Sequence, residues 1–223
     1  MKHKQPLLIG IAGPSGSGKT TLAQQLAELM GDALVLSLDS YYRDLSHLCV
    51  EERGRCNFDE PAAIDDELLI HDLLALANGL SIDVPCYDFE THTRAAETVS
   101  YESRSIVIVE GLFTLAWERI RKLLDLSVFV DVDDAKCLSR RINRDTRDRG
   151  RTAESVKQQF EQVKPMAKKW IHPTVSHADI VIDGTMETNR LACSLANHVN
   201  TRVIEDVTEI RKSTSWAAAV SGN

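Results

Sequence analysis

The fold is decided by Leu-Leu-Ile-Gly-Ile-Ala at residues 7–12 and by Gly-Pro-Ser-Gly-Ser-Gly-Lys-Thr at residues 13–20. The first segment is uniformly apolar and predicts a buried strand. The second fits G-x-x-x-x-G-K-[ST], and residues 19–30 after it have the apolar spacing of a helix. Because the loop stands between a strand and a helix, phosphate binding is favoured over the alternative of a flexible glycine-rich turn.

The loop has a clear physical use. Glycines let backbone N–H groups curl around phosphate oxygens, and the positive end of the following helix adds attraction. A lysine supplies charge to the β- and γ-phosphates, and the adjacent hydroxyl ligates Mg²⁺. The residues predicted to bind a nucleotide are Gly13, Ser15, Gly16, Ser17, Gly18, Lys19, Thr20 and Thr21.

Outward from the loop, apolar strands alternate with helical patterns. Strands are predicted at 33–38, 82–86, 98–102, 106–109, 128–130 and 180–182, and helices at 65–77, 133–147, 152–170 (interrupted near Pro165) and 187–203. Strands that are apolar on both faces and alternate with helices predict a parallel sheet covered on each side, an α/β fold of the P-loop NTPase type. We expect one domain over 1–208 and a loosely ordered tail over 209–223.

Composition excludes several classes of protein. The 223 residues carry a formal net charge of -7, which disfavours binding to a nucleic acid polymer. The five cysteines are odd in number and form no CxxC pair, so we expect a reducing compartment, the cytoplasm, rather than disulfides or zinc. No apolar run approaches the roughly 20 residues of a membrane helix, and the run at 7–12 leads into the glycine-rich loop rather than a cleavage site.

Two acidic residues follow predicted strands. Asp39 ends the second strand and Glu110 ends the strand at 106–109, and carboxyl ends of parallel strands line the ligand crevice. Asp39 could accept a proton from an attacking hydroxyl or help to hold Mg²⁺, and Glu110 could organise the metal. The alternatives are a turn cap for Asp39 and a simple strand end for Glu110. No Asn-Lys-x-Asp guanine motif is present, which weakens a GTPase interpretation.

Further along, arginines and aromatic residues are grouped. Six arginines fall between residues 140 and 151, which suits a small phosphorylated ligand, although a solvated, salt-bridged helix face is the alternative. Tyr87 and Phe89 could line a ligand pocket or face the core. From sequence alone, His92 in a polar loop is most simply a solvated histidine.

The chain resembles the uridine-cytidine kinase family. The likeness rests on the loop at 13–20, Asp-Ser-Tyr-Tyr-Arg at 39–43, Asn-Phe-Asp at 57–59, Tyr-Asp-Phe-Glu-Thr-His-Thr-Arg at 87–94 and the segments Arg-Arg-Ile-Asn-Arg-Asp at 140–145 and Arg-Gly-Arg at 149–151. It extends over about 7–203. The segment at 87–94 and the arginine segments are far more specific than the phosphate loop.

The resemblance implies roles at matching positions. Asp39 would be the catalytic base, aided by Lys19, Arg144 and Arg149, with Arg151 completing an arginine lid at about 140–160. Thr20, Glu110 and Asp39 would serve Mg²⁺. The nucleoside would be held in part by a β-hairpin insertion, through Tyr42, Phe58, Asp59, Tyr87, Phe89, His92, Arg141 and Gln159.

The same resemblance implies the substrates. ATP or GTP would donate phosphate to the 5′-hydroxyl of uridine or cytidine in pyrimidine salvage, and the protein would be a homo-oligomer, a tetramer by likeness. Glu60 departs from the family pattern, where histidine is usual. Two alternatives stay open: a related kinase of phosphoribulose, pantothenate or nicotinamide riboside, and a non-catalytic nucleotide-binding regulator.

Overall fold

The computed structural model describes residues 5–201. In chain order the elements are β1 (Leu7–Ala12), α1 (Lys19–Met30), β2 (Ala33–Ser37), α2 (Val50–Arg53), α3 (Asp66–Ala77), β3 (Ile82–Asp88), β4 (Thr93–Tyr101), β5 (Ile106–Gly111), α4 (Glu118–Arg121), β6 (Leu126–Asp131), α5 (Asp134–Asp148), α6 (Ala153–Trp170), β7 (Ile180–Asp183) and a final helix α7 over 188–201. A 3₁₀ turn, Leu38–Tyr41, directly follows β2.

Five strands form the central sheet, in the order β2-β5-β1-β6-β7, and all of them are parallel. The predicted parallel α/β fold is therefore confirmed. Glu110 on β5 stands beside Ile11 on β1 and Ser37 on β2, so the ends of these three strands meet at one edge of the sheet. The phosphate loop and the turn carrying Asp39 leave the sheet at that edge.

Each face of the sheet buries its own core because alternate residues of a strand point to opposite sides. On β1, Leu8 joins a cluster with α3, β3 and the 3₁₀ turn, whereas Ile9 and Ile11 join a cluster with α1 and α7. Uniformly apolar strands are thus required here, as expected for a sheet covered on both faces.

The second sheet is an antiparallel hairpin of β3 and β4. It is longer than the predicted strands at 82–86 and 98–102, and only residues 89–92 connect its strands. β3 packs against the 3₁₀ turn Leu38–Tyr41. The hairpin tip is thereby brought to the same edge of the main sheet as the phosphate loop.

The predicted interruption of the sixth helix near Pro165 is wrong. α6 runs without a break through Pro165 to Trp170. Proline removes one backbone donor from a helix, and tertiary packing compensates for the loss here: α6 packs against α5, and Ala167 and Trp170 beyond the proline pack against the core. The predicted end of the last helix and the tail at 209–223 lie outside the described residues. Among residues 5–201, no helix has the length and apolar character to cross a membrane.

Candidate active site

The phosphate loop has the backbone that its glycines permit. Gly16 and Gly18 adopt φ values of 89° and 97°, in the left-handed region that disfavours other residues. A Cβ atom on Gly16 would also lie 2.7 Å from the carbonyl oxygen of Cys137. Gly18 caps α1 without a side chain, so the first N–H groups of that helix have no side-chain cap. This is the arrangement that binds phosphate at a helix N-terminus.

Arg140 supports the phosphate loop through hydrogen bonds to backbone carbonyl oxygens. Its Nη1 donates to the carbonyl oxygen of Ser17 at 2.8 Å, and its Nη2 donates to that of Gly184 at 2.7 Å. The sequence grouped Arg140 with the other arginines and gave it no separate role. The structure instead assigns it to the support of the loop.

Glu110 connects the loop to the neighbouring strand end. Its buried carboxylate accepts hydrogen bonds from Thr20 Oγ1 at 3.1 Å and from Ser37 Oγ at 3.0 Å. Burial raises the pKa of Glu110, Lys19 partly offsets this, and Asp39 adds to it. The residues present offer hard oxygen donors that suit Mg²⁺. The described residues contain no cluster of three or more His, Cys, Asp or Glu able to hold a metal.

A cavity of about 750 Å³ opens at this edge of the sheet. Its size is typical of a small-molecule site. Most of the predicted site residues line it, namely Ser15, Lys19, Thr20, Asp39, Tyr42, Phe58, Asp59, Tyr87, Phe89, His92, Arg141, Arg144, Arg149, Arg151 and Gln159. The remaining predicted site residues do not line the cavity; they are Gly13, Gly16, Ser17, Gly18, Thr21 and Glu110. Those that belong to the phosphate loop shape the backbone of that loop, and Glu110 lies behind Thr20.

Aromatic rings form one wall of the cavity. Tyr42 lies at the centre, with its ring centroid 5.3 Å from that of Tyr87, 6.0 Å from that of Phe58 and 6.1 Å from that of Phe89. Tyr42 is buried, but Phe89 is 56% exposed. Phe89 therefore belongs to the rim of the pocket, and the alternative that it faces the core is excluded.

His92 is held in place rather than free in a loop. It is the one non-glycine with a positive φ, 56°, among the described residues, and its carbonyl accepts from Leu45 N at 3.3 Å. Its imidazole stacks on Phe58, with centroids 4.3 Å apart and an angle of 18° between planes. Strained backbone of this kind persists only where the surroundings enforce it. The interpretation of His92 as a simple solvated histidine, drawn from the sequence, is therefore wrong.

A carboxylate and an arginine, Asp59 and Arg141, also line the cavity. Desolvation raises the pKa of Asp59, and the charge of Arg141 lowers it in part. Arg141 is only 6% exposed and donates from Nη2 to Gln159 Oε1 at 3.1 Å. Its guanidinium also lies over the ring of Phe160, 5.6 Å from the centroid. Together these residues form a polar wall on which ligand hydroxyls could pair.

Two elements of the site were missed. The helix α6 contributes an apolar stripe, Phe160, Val163 and Ala167, which Ile171 continues just after the helix ends; the helical spacing of these residues was a usable signal. The other is Arg94, which joins the hairpin to the 3₁₀ turn and to α3. It donates to the carbonyl oxygens of Tyr42 at 3.0 Å and Tyr41 at 3.3 Å, and to Asp65 Oδ2 at 3.2 Å.

Comparison with known proteins agrees with this geometry. The model of the phosphoribulokinase/uridine kinase family matches residues 8–192. The chain is 46% identical over 181 residues to a uridine kinase of Staphylococcus epidermidis, spanning 80% of this chain and 87% of that one. It is 42% identical over 195 residues to a uridine kinase of Halalkalibacterium halodurans, spanning 86% and 92%.

A solved structure supports the fold. Phosphoribulokinase from Rhodobacter spheroides superposes with a TM-score of 0.58 at 18% identity, over 83% of this chain and 74% of that one. The family match over most of the chain, together with the phosphate loop, the acidic strand ends and the ring-lined cavity, leaves one assignment. The chain belongs to the phosphoribulokinase/uridine kinase family.

Proposed function

We propose that this chain transfers the γ-phosphate of ATP, or of GTP, to the 5′-hydroxyl of uridine or cytidine, giving UMP or CMP. The observation that carries the proposal is a single cavity that brings Lys19 and Asp39 together with the aromatic wall and Asp59. A donor of phosphate and a flat, hydroxylated acceptor can meet there. The uridine kinases to which the chain is 42–46% identical in sequence point to uridine as an acceptor.

At the donor end, the loop N–H groups and Lys19 would bind the triphosphate. Thr20, Glu110 and Asp39 would hold Mg²⁺, which, when bound, neutralises charge on the β- and γ-phosphates. Glu110 is already fixed by Thr20 and Ser37, so the acidic side of this site is organised before any ligand enters.

At the transfer point, Asp39 would orient the 5′-hydroxyl and accept its proton. Asp39 is exposed to the cavity, and its backbone N–H is bonded to Ser37 Oγ at 3.3 Å. Phosphoryl transfer depends on positioning and charge stabilisation more than on covalent catalysis. Arg144, Arg149 and Arg151 would stabilise the transferred group and exclude water, which competes as an acceptor.

At the acceptor end, the rings of Tyr42, Phe58, Tyr87 and Phe89 would enclose the base, with His92 at its polar edge. Asp59, Arg141 and Gln159 would hold the ribose hydroxyls. We further propose that 1–208 form one catalytic domain with its lid at about 140–160. The working form would be a cytoplasmic homo-oligomer, in line with the family likeness and the free cysteines among the described residues.

The test is a substrate panel with purified protein and Mg²⁺. ATP and GTP are each paired with uridine, cytidine, ribulose 5-phosphate, pantothenate and nicotinamide riboside, and nucleoside diphosphate release and the phosphorylated product are both measured. We expect UMP and CMP and little product from the other acceptors. Turnover of another acceptor alone would assign a different kinase of the family, and no turnover with any acceptor would refute the proposed activity.

A further inference from the structure

Asp145 has no solvent-exposed area, yet it stands among the arginines that line the cavity. Its Oδ1 accepts from Arg144 Nε at 2.7 Å and lies 3.6 Å from Arg149 Nη1. Its Oδ2 has no hydrogen-bond partner within the described residues. Asp145 itself does not line the cavity, so it acts on the site only through its neighbours.

The backbone of Asp145 serves the same region. Its carbonyl oxygen accepts from the N–H of Arg149 at 3.2 Å and from that of Arg151 at 3.1 Å. These bonds end α5 and set the direction in which the chain leaves it. Asp145 therefore fixes the backbone of Arg149 and Arg151 through its carbonyl oxygen. It fixes the side chain of Arg144 through its carboxylate.

The electrostatics show why a carboxylate is tolerated there. Burial alone would raise the pKa of Asp145, but the hydrogen bond and charge of Arg144, with the charges of Arg149 and Arg141, bring it below its ordinary value. The arginines also act on each other: burial is the main cause of the lowered pKa of Arg141, and the charges of Arg144 and Arg149 lower it further. A central negative charge relieves this repulsion and lets three guanidinium groups remain close together.

The geometry points to Asp145 as a positioning residue for phosphate transfer: its buried carboxylate holds Arg144 and Arg149 with their guanidinium groups turned to the triphosphate end of the cavity. Arg144 is engaged through Nε, which leaves the outer part of its fork for the ligand. The inference rests on the proposed function. In the alternative, Asp145 only ends the helix, a task that its backbone carbonyl would perform equally well with asparagine.

The decisive experiment is a double-mutant cycle on Asp145 and Arg144. Asp145→Asn keeps the volume and the backbone carbonyl and removes the charge. We expect kcat to fall about 10- to 100-fold and KM for ATP to rise, because small misplacements of charged groups are costly in this chemistry, while KM for uridine changes less than about 2-fold. In an Arg144→Ala background, the same substitution should lower kcat by a smaller factor than in the wild type, because Arg149 is then the one side chain left of the two that Asp145 positions.

Lys122→Gln is the control, because it breaks an exposed ion pair with Glu118 outside the cavity, and its kcat should equal that of the wild type. If Asp145→Asn does not fold by circular dichroism, Asp145→Glu takes its place in the cycle, since it keeps the charge but displaces the carboxylate. Normal kcat in the single variant, or full additivity with Arg144→Ala, would overturn the inference. Both results require an active wild type, whereas an inactive wild type would refute the proposed function instead.

Discussion

The phenol of Tyr41 donates a 2.8 Å hydrogen bond to Oδ2 of Asp72, and both residues are buried. Tyr41 belongs to the 3₁₀ turn that carries Asp39, and Asp72 lies in the middle of α3. The other carboxylate oxygen of Asp72 is 3.1 Å from Nδ1 of the exposed His71. The turn that presents the proposed base is thus fastened to a helix through one buried charged group.

Tyr41→Phe should destabilise the protein by about 1.5–3 kcal/mol, because it leaves a buried carboxylate without its main donor. Urea denaturation measures this free energy of unfolding. The double variant Tyr41→Phe/Asp72→Leu should recover much of the loss, because the unmatched charge is then absent. A single variant as stable as the wild type would show that Asp72 does not depend on this bond.

Asp39→Asn should lower kcat by about 10²- to 10⁴-fold, because the side chain keeps its shape but can no longer accept the proton. Uridine affinity, measured by calorimetry, should change much less. Asp83→Asn is a matched control, because that residue is exposed on the hairpin and outside the cavity. Near-normal kcat in a folded Asp39→Asn protein would show that the proton goes elsewhere.

Sugar choice should depend on Asp59. A partly buried carboxylate is costly unless ligand hydroxyls donate to it, and hydrogen bonds to charged groups are worth about 1.5–3 kcal/mol. Deoxyuridine should therefore be worse than uridine by roughly 10- to 150-fold in kcat/KM. Asp59→Ala should slow uridine strongly and shrink that ratio. If the ratio stays at its wild-type value, Asp59 serves only the turn before Pro61.

The raised pKa of Asp59 gives a separate, pH-dependent prediction. Between about pH 3.9, the ordinary aspartate pKa, and the higher folded value, the folded protein keeps a proton that the unfolded chain has released. Wild-type stability conferred by this group is therefore lost as pH rises through the folded pKa. Asp59→Asn lacks this loss, so its stability relative to the wild type should increase with pH. Denaturation at several pH values checks the sign, and an advantage confined to low pH would contradict it.

Arg94→Lys should weaken the acceptor site selectively. Lysine keeps the charge but cannot reach two carbonyls and Asp65 together as the arginine fork does. We expect KM for uridine to rise roughly 10-fold as the hairpin loosens, with KM for ATP nearly unchanged. Arg104→Lys, which alters an exposed pair with Asp32, is the control. Equal effects on both substrates would show that Arg94 stabilises the whole fold and not the hairpin alone.

Local sequence signals were sufficient to predict the bounds of a helix or strand where one strong pattern determined them. The bounds predicted for β1 and α1 agree with the structure, because an uninterrupted apolar run and a glycine-rich loop leave few alternatives. α3 begins at Asp66, one residue after the predicted start, and the Asp65 side chain caps it by accepting from Leu68 N. At Pro165, by contrast, packing of α6 on α5 overrode a local preference.

The site depended on contacts that no local pattern encodes. His92 in sequence is a polar loop residue, and only the meeting of the hairpin tip with residue 58 stacks it on Phe58. Asp145 carries no signal of burial within a run of arginines and acids. The bonds of Arg94 reach residues 29 to 53 positions away. Such placements follow from the assembled fold, so the sequence could indicate the residue types of the site but not their pairing.

The central place of β1 also has a consequence for biosynthesis. β1 is synthesised before both of its neighbours in the sheet, β5, where Leu7 pairs with Ile106, and β6, where Ile9 pairs with Leu126. A nascent chain shorter than this carries an apolar strand with both edges open, the kind of segment that aggregates. We therefore expect translation that stalls or terminates before residue 126 to yield a product in which β1 lacks a partner strand and which depends on chaperones to stay unaggregated.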